Sequence, residues 1–486
     1  MFMLFVSTVD LAEGDNREIL TVTTLPWILD AALLASSTTW CGGKFETRSP
    51  AAMAMAPETR DGRTRLNQEP SFMATSTLVR TLNAALRDGN AAAVSAQLGS
   101  LRDPNVLLEL ANDDWVKEAD VHLDPLILMG LWPLPSQRVH TTPACITASR
   151  GYEACLRHLL ERGADPEAAP GGECALHCAC EGAHQACVQL LLEYGARPNS
   201  CSEPGLTPLH MCTVSESLGC AERLLAAGAR LQEEASLTGD TPLHTASTHG
   251  LVGHVNLYLS SGAHVDARNA RGETPLHVAC MSARGALDGH RYLQVCDLLL
   301  TYGATVDAVD AEMQTPLLRA CVNVQSGVVR RLLNAGADPN ARGYCGVAPL
   351  QKVLQMADYR PEQRPERLVQ DLLNHGAIKF WPGALHKVLS HTCASVSTVE
   401  VLLNGYNYFK VTKAWRDAVP EEVQQANKDF YRSLFALSGQ PRRLQHLARC
   451  ALRSYLGAAC HRLVPALPIP AALRSYLLLE PQGIMH

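Results

Sequence analysis

A short phrase that returns at intervals of 32 to 34 residues, and once after 41, limits this chain more than any other feature in it. Thr207-Pro208-Leu209-His210, Thr241-Pro242-Leu243-His244 and Thr274-Pro275-Leu276-His277 share one wording. Weaker copies stand at Thr142-Pro143, Cys174-Ala175-Leu176-His177, Thr315-Pro316-Leu317-Leu318 and Ala348-Pro349-Leu350. The second residue of each copy lies at 143, 175, 208, 242, 275, 316 and 349, in steps of 32, 33, 34, 33, 41 and 33. A second marker keeps phase with the first: Gly163-Ala164, Gly195-Ala196, Gly228-Ala229, Gly262-Ala263, Gly303-Ala304, Gly336-Ala337 and Gly376-Ala377. A chain marked twice at one period is an array of one supersecondary unit, and its core is made by stacking neighbours.

The residue types say what the unit is. Thr caps a helix through its hydroxyl, and Pro at the first helical position gives up only an N–H that had no partner there. A first helix therefore begins at each Thr-Pro. Leu pairs such as Leu159-Leu160, Leu224-Leu225, Leu299-Leu300, Leu332-Leu333 and Leu372-Leu373 fall in a second helix. The Gly of each Gly-Ala suits the left-handed position that ends it. Two longer spacings place insertions around Ser282–Arg291 and Ala357–Glu366, read as loops leaving the stack.

The flanks are less regular. Residues 1–70 mix Ser, Thr, Pro, Met and charge without period and read as a disordered N-terminal segment. Residues 71–132 read as a helical cap, with a worn repeat at Thr77–Leu86 and Ala91–Leu98 and a further helix at Pro104–Ala111. Repeats fill 133–380. A degenerate unit (Ala384–Leu389 and Val399–Leu403) and an amphipathic connector (Ala414–Ala436) fill 381–438. The last module spans 439–481.

Composition removes several function classes. Apolar residues at 47% and charged residues at 19% of 486 describe a chain that can bury a core. With 42 Lys and Arg against 48 Asp and Glu there is no cationic excess for a phosphate backbone, so no nucleic-acid partner is expected. The opening MFMLFV lacks a basic flank and is too short for a signal peptide, and no run of about 18 apolar residues reads as a membrane span. The 17 cysteines are spread through helical patterns, which fits reduced thiols in a cytoplasmic protein.

The C-terminal segment Pro441–Glu480 carries Leu444, Ala448 and Leu452 four apart along one helical stripe, with Leu447, Ala451 and Tyr455 beside it. It is followed by Leu467-Pro468-Ile469-Pro470 and a short apolar helix, Ala471–Leu479. The period and the phrase TPLH resemble the ankyrin repeat, the C-terminal segment resembles a SOCS box, and the two together resemble the ankyrin repeat and SOCS box family. That resemblance implies an all-α ankyrin-repeat solenoid ending in a SOCS box helical module. It implies a non-catalytic substrate adaptor of an E3 ubiquitin ligase, with elongin C on Leu444, Ala448 and Leu452, and cullin five on Leu467, Pro468, Ile469 and Pro470. Elongin B, the RING subunit of cullin five and an unidentified protein substrate complete the expected partners. The middle elongin position, commonly Cys in the family, is Ala448 here. A scaffold without ligase assembly is the alternative.

Other chemistry is weighed against this. Cys174, His177, Cys178, Cys180, His184 and Cys187 crowd into fourteen residues, yet no Cys-x-x-Cys appears and each fits a packing or repeat position, so no metal is expected. His210, His244 and His277 recur at one structural place, which points to local hydrogen bonding. No GxSxG, HExxH, P-loop or kinase signature is present, and neither catalytic residue nor cofactor is expected. Finally, Glu173, Glu203, Asp240, Glu273 and Glu312 precede successive helix starts and would line one edge with carboxylates that steer a basic substrate protein.

Overall fold

The structure, a computed structural model, describes residue 85 and residues 90–99, 101, 103–111, 138–283, 289–437, 442–483 and 485. The expectations for residues 1–70 and for most of Thr77–Leu86 lie outside these. From Ala85 to Met485 one hydrophobic core runs through the repeats. Each unit is a pair of short helices, such as Pro143–Ser149 with Glu153–Glu161, Pro242–Thr248 with Val252–Ser260, and Pro316–Val322 with Ser326–Asn334. The helix starts follow the expected chemistry. Thr142 Oγ1 accepts from the N–H of Cys145 at 3.2 Å and Thr315 Oγ1 from that of Leu318 at 3.3 Å, each ahead of a Pro at the first helical position. The seven Gly of the Gly-Ala pairs share φ between 87° at Gly195 and 97° at Gly336, a left-handed conformation in which a Cβ is strained.

The recurring histidine ties each unit to the next. His244 Nδ1 accepts from the N–H of Thr241 at 3.2 Å, so its proton sits on Nε2, which donates to the carbonyl of Glu273 at 3.0 Å in the following unit. His177, His210 and His277 reach Leu206, Asp240 and Gln314 in the same way, at 2.9 to 3.0 Å. Burial holds His210, His244 and His277 below the ordinary imidazole range and so in the neutral form these bonds require. Local bonding was expected of these side chains. The reach into the next repeat is additional.

A second staple left no mark in the sequence reading. The amide of Asn199 donates to the Gly228 carbonyl at 3.2 Å and accepts from the Arg230 N–H at 2.8 Å. Asn340 does the same to Gly376 and Ile378, at 3.2 and 2.7 Å. Asn105 repeats it on Gly163 and Asp165, at 3.2 and 2.7 Å, so the segment after the helix Ala91–Gly99 acts as the turn of a preceding unit.

Four elements differ from expectation. No helix forms at Pro104–Ala111. Leu108–Ala111 is instead a strand, antiparallel to Arg138–Thr141 with Leu108 opposite Thr141 and Ala111 opposite Arg138. A pairing partner 30 residues away is invisible to a local helical pattern. In the third unit the phrase Thr207–His210 makes only i to i+3 turns before a 3₁₀ turn at Ser215–Ser217. Gly151, Ala183, Gly250 and Val324 close the first helix of other units with positive φ, whereas the corresponding residue here, Glu216, lies within the 3₁₀ turn. The connector is three helices, Lys413–Asp417, Glu421–Ala426 and Lys428–Ala436: Pro420 interrupts it once, and Asn427, with non-helical backbone at φ −120° and ψ 45°, a second time. The first insertion also lengthens a helix, Gly289–Thr301.

Candidate functional site

Three helices follow the connector: Leu444–Leu456, Cys460–Ala466 and Ala471–Leu477. They share a small core of Cys460, Val464 and Leu477, against which Leu456, Leu467, Ile469 and Leu478 pack. The first of them is built inside out. Residues 442, 446, 449 and 453 step four, three and four along one face, and Arg442, His446 and Arg449 are buried there. Leu444, Ala448, Leu452 and Tyr455 occupy the other face and are exposed, Leu444 at 83% and Tyr455 at 88%. In an isolated chain the reverse arrangement would be favoured, by about 1.5–3 kcal/mol for each large apolar side chain taken from water.

The inward face is polar because it docks on carbonyls. Arg453 donates to Asn374 Oδ1 at 2.6 Å and to the carbonyls of Leu477 and Leu373 at 2.7 and 3.2 Å. Asn374 and Gln370 donate in turn to the Leu478 carbonyl, at 3.1 and 2.8 Å. Residues 370–374 close the helix Pro365–Asn374, whose C-terminal carbonyls favour a cation. His446 Nε2 donates to the Tyr406 carbonyl at 2.7 Å, which leaves Nδ1 to accept from Arg449 at 2.8 Å and Arg442 at 3.0 Å. Aromatic faces take up part of the remaining charge, with Arg449 4.1 Å over Tyr476 and Arg442 5.3 Å over Phe409. The Nε and Nη1 of Arg442 and the Nε of Arg449 find no hydrogen-bond partner among the described residues. Glu400, buried, accepts from the N–H of Gln482 and Gly483 at 2.6 and 2.8 Å and pins the C-terminal tail to the array.

Comparison with known proteins agrees with both halves. A family profile described as ankyrin repeats matches residues 128–202, 144–235, 194–269 and 243–343, and one described as SOCS box matches 440–478. Ankyrin repeat and SOCS box protein 18 of Homo sapiens is 46% identical over 460 residues, covering 86% of this chain and 98% of its own length. The chain belongs to the ankyrin repeat and SOCS box family. Protein 16 of Homo sapiens is 38% identical, covering 83% of this chain and 86% of its own, and protein 10 of Homo sapiens is 44% identical over 74% and 78%. Membership in the ankyrin repeat and SOCS box family supports a substrate-recognition adaptor role in general and is consistent with a non-catalytic chain.

The expected site residues fall into three groups. Leu444, Ala448 and Leu452 share an exposed face. Of Leu467-Pro468-Ile469-Pro470, only the two prolines are exposed, since Leu467 and Ile469 pack in the small core. The acidic edge needs correction. Glu273 is 1% exposed and lies 3.1 Å from Arg271 and 3.5 Å from Arg319, so it faces no partner. Asp240 accepts from Asn269 at 2.9 Å. Glu203 and Glu312 are exposed, and Glu173 is half-buried. The Cys and His residues of 174–187 are spread over two helices and their turn. Among the described residues no three His, Cys, Asp or Glu side chains come together to hold a metal, and no helix is long and apolar enough to cross a membrane.

The docking is expected to depend on pH. Burial, then Arg442 and Arg449, push His446 down to about 4. A depressed imidazole stabilises the docked state fully above its unfolded value of about 6.5, and that contribution is lost as the pH falls from there through about 4. Amide exchange over 444–456, corrected for intrinsic rates, is expected to accelerate as the pH falls from 7.5 to 5, and to change less in His446→Gln.

Proposed function

We propose that this chain is the substrate-recognition subunit of an elongin B/C–cullin five–RING ubiquitin ligase, marking a bound protein for ubiquitination and proteasomal degradation. The observation that carries the reading is the outward apolar face of Leu444, Ala448 and Leu452 on a helix whose opposite face is already docked. Such a face needs an apolar groove, and a helix laid in a groove is a common mode of partner binding. The chain would contribute position: holding the substrate on the repeats raises the local concentration of its lysines near the charged conjugating enzyme. Glu203 and Glu312 remain the exposed carboxylates assigned to the substrate edge, and the complex is assigned to the cytoplasm.

Co-expression with elongin B and C is expected to yield a co-eluting complex, and a chain that elutes alone would leave the scaffold reading standing instead. Cullin five separates the two docking segments. Pro468→Ala, at an exposed position outside the small core, is expected to leave elongin recovery unchanged and to lower cullin five recovery severalfold. Replacing Leu467 or Ile469 would confuse the two effects, because both hold the three helices together.

A further inference from the structure

Five of the seven repeats begin their phrase with Thr, and the second begins with Cys174. Its sulfur does more than fill a cap. Cys174 Sγ lies 3.0 Å from His177 Nδ1 and 3.4 Å from Ser200 Oγ. It also receives the backbone N–H of His177. His177 Nε2 donates to the Leu206 carbonyl at 2.9 Å, which places the imidazole proton on Nε2 and turns the basic Nδ1 toward the thiol and the Cys174 N–H, 3.3 Å away. Both residues line a cavity of about 410 Å³ whose wall includes Arg197, Ser200 and Cys201. Arg197 and Cys201 are exposed, so the cavity is continuous with solvent.

We propose that Cys174 and His177 form a nucleophilic thiol–imidazole pair that takes covalent adducts from small uncharged α,β-unsaturated carbonyl compounds entering this cavity. His177 Nδ1 takes the thiol proton and the sulfur forms a bond to the β-carbon of the electrophile. The double-bond pair moves toward the carbonyl as an enolate, whose α-carbon then takes the proton back from Nδ1. The net change is addition of S–H across a double bond, with nothing oxidised, reduced or expelled. Burial by itself would raise the Cys174 thiol and lower His177, but their mutual contact, joined on the sulfur by Ser200, outweighs it, so the thiol lies below its ordinary value and the imidazole above. An uncharged electrophile fits because the two ionic groups at the wall, Arg197 and Glu167, are paired at 2.8 Å. An adduct on the sulfur would displace His177, and with it the bond to Leu206 that joins this repeat to the next.

The test uses the intact chain and acrylamide as the probe, with brief exposure at pH 7 and adducts located peptide by peptide. Exposed Cys201 and Cys345 serve as comparators within the same molecule. Cys174, although only 2% exposed, is expected to react about tenfold faster than either, as a thiol with its own base does. His177→Gln is expected to bring Cys174 to the comparator rate or below while Cys345 keeps its own. Cys174→Thr, which installs the residue other repeats carry, should keep the melting temperature and abolish its fall on acrylamide treatment. Wild-type Cys174 that reacts no faster than Cys201 overturns the proposal without any variant having to fold, and so does a melting-temperature fall that persists in Cys174→Thr.

Discussion

Leu444→Asp is expected to abolish capture of elongin C while leaving the chain folded. Leu444 is the first residue of its helix and is 83% exposed, so the array loses no contact. A carboxylate in a first helical turn is favoured by the helix dipole, and the helix should persist. The effect falls on the complex. Losing the burial of one leucine removes about 2 kcal/mol, and a carboxylate driven unpaired into an apolar groove costs at least about 2 kcal/mol more. Together these correspond to roughly a thousandfold in Kd. Isothermal titration against purified elongin B/C would check it, with circular dichroism to confirm helicity. Undiminished affinity in the helical variant would remove the docking face from the proposal.

The inversion of this helix also bears on how the two modules are joined. From Pro441 to Leu479 there is no Asp or Glu, so the inward arginines cannot be neutralised within the box. They are met by Asn374, Leu373 and Asn404 side chains and carbonyls at the ends of two repeat helices and by aromatic rings, while His446 between them donates to the Tyr406 carbonyl. Guanidinium donors prefer such fixed acceptors to a hydrocarbon core. The box is thereby held by directional bonds, which leaves Leu444 and Leu452 outside.

That arrangement explains what could be read in advance. The repeat was legible because Thr-Pro and Gly-Ala act locally, through a cap and a left-handed turn, and local effects leave a periodic trace. The stripe at Leu444, Ala448 and Leu452 was legible as a stripe, but spacing alone gives amphipathicity without its direction, since a core helix and a docking helix share it. Which side turns inward depends on Asn374 and Tyr406, dozens of residues earlier in the chain. Glu273 went astray for the same reason: its neighbours in sequence mark a turn, while Arg319, 46 residues later, closes over it. The strand at Leu108–Ala111 likewise needs a partner at 138–141 that no local pattern reveals.

His244→Ala is expected to destabilise the array by about 2–4 kcal/mol, since it strands the buried N–H of Thr241 at about 1–3 kcal/mol, removes the inter-repeat bond to the Glu273 carbonyl, which keeps only the N–H of Asn269 at 3.0 Å, and leaves a cavity besides. Thr241 and Glu273 are at most 3% exposed, so water cannot replace the imidazole without opening the junction between two repeats. Repeat arrays are stabilised through nearest-neighbour junctions, and a weak one divides the cooperative unit. Denaturant unfolding should therefore lose a single transition and show two, and one sharp transition at the wild-type midpoint would contradict the staple. The loss should also depend on pH. Burial keeps His244 below its ordinary value, so its stabilisation is complete above about 6.5 and declines as the pH falls toward its folded value. The difference between wild type and variant is accordingly expected to be smaller at pH 5.5 than at pH 7.5, because the wild type alone surrenders a neutral imidazole.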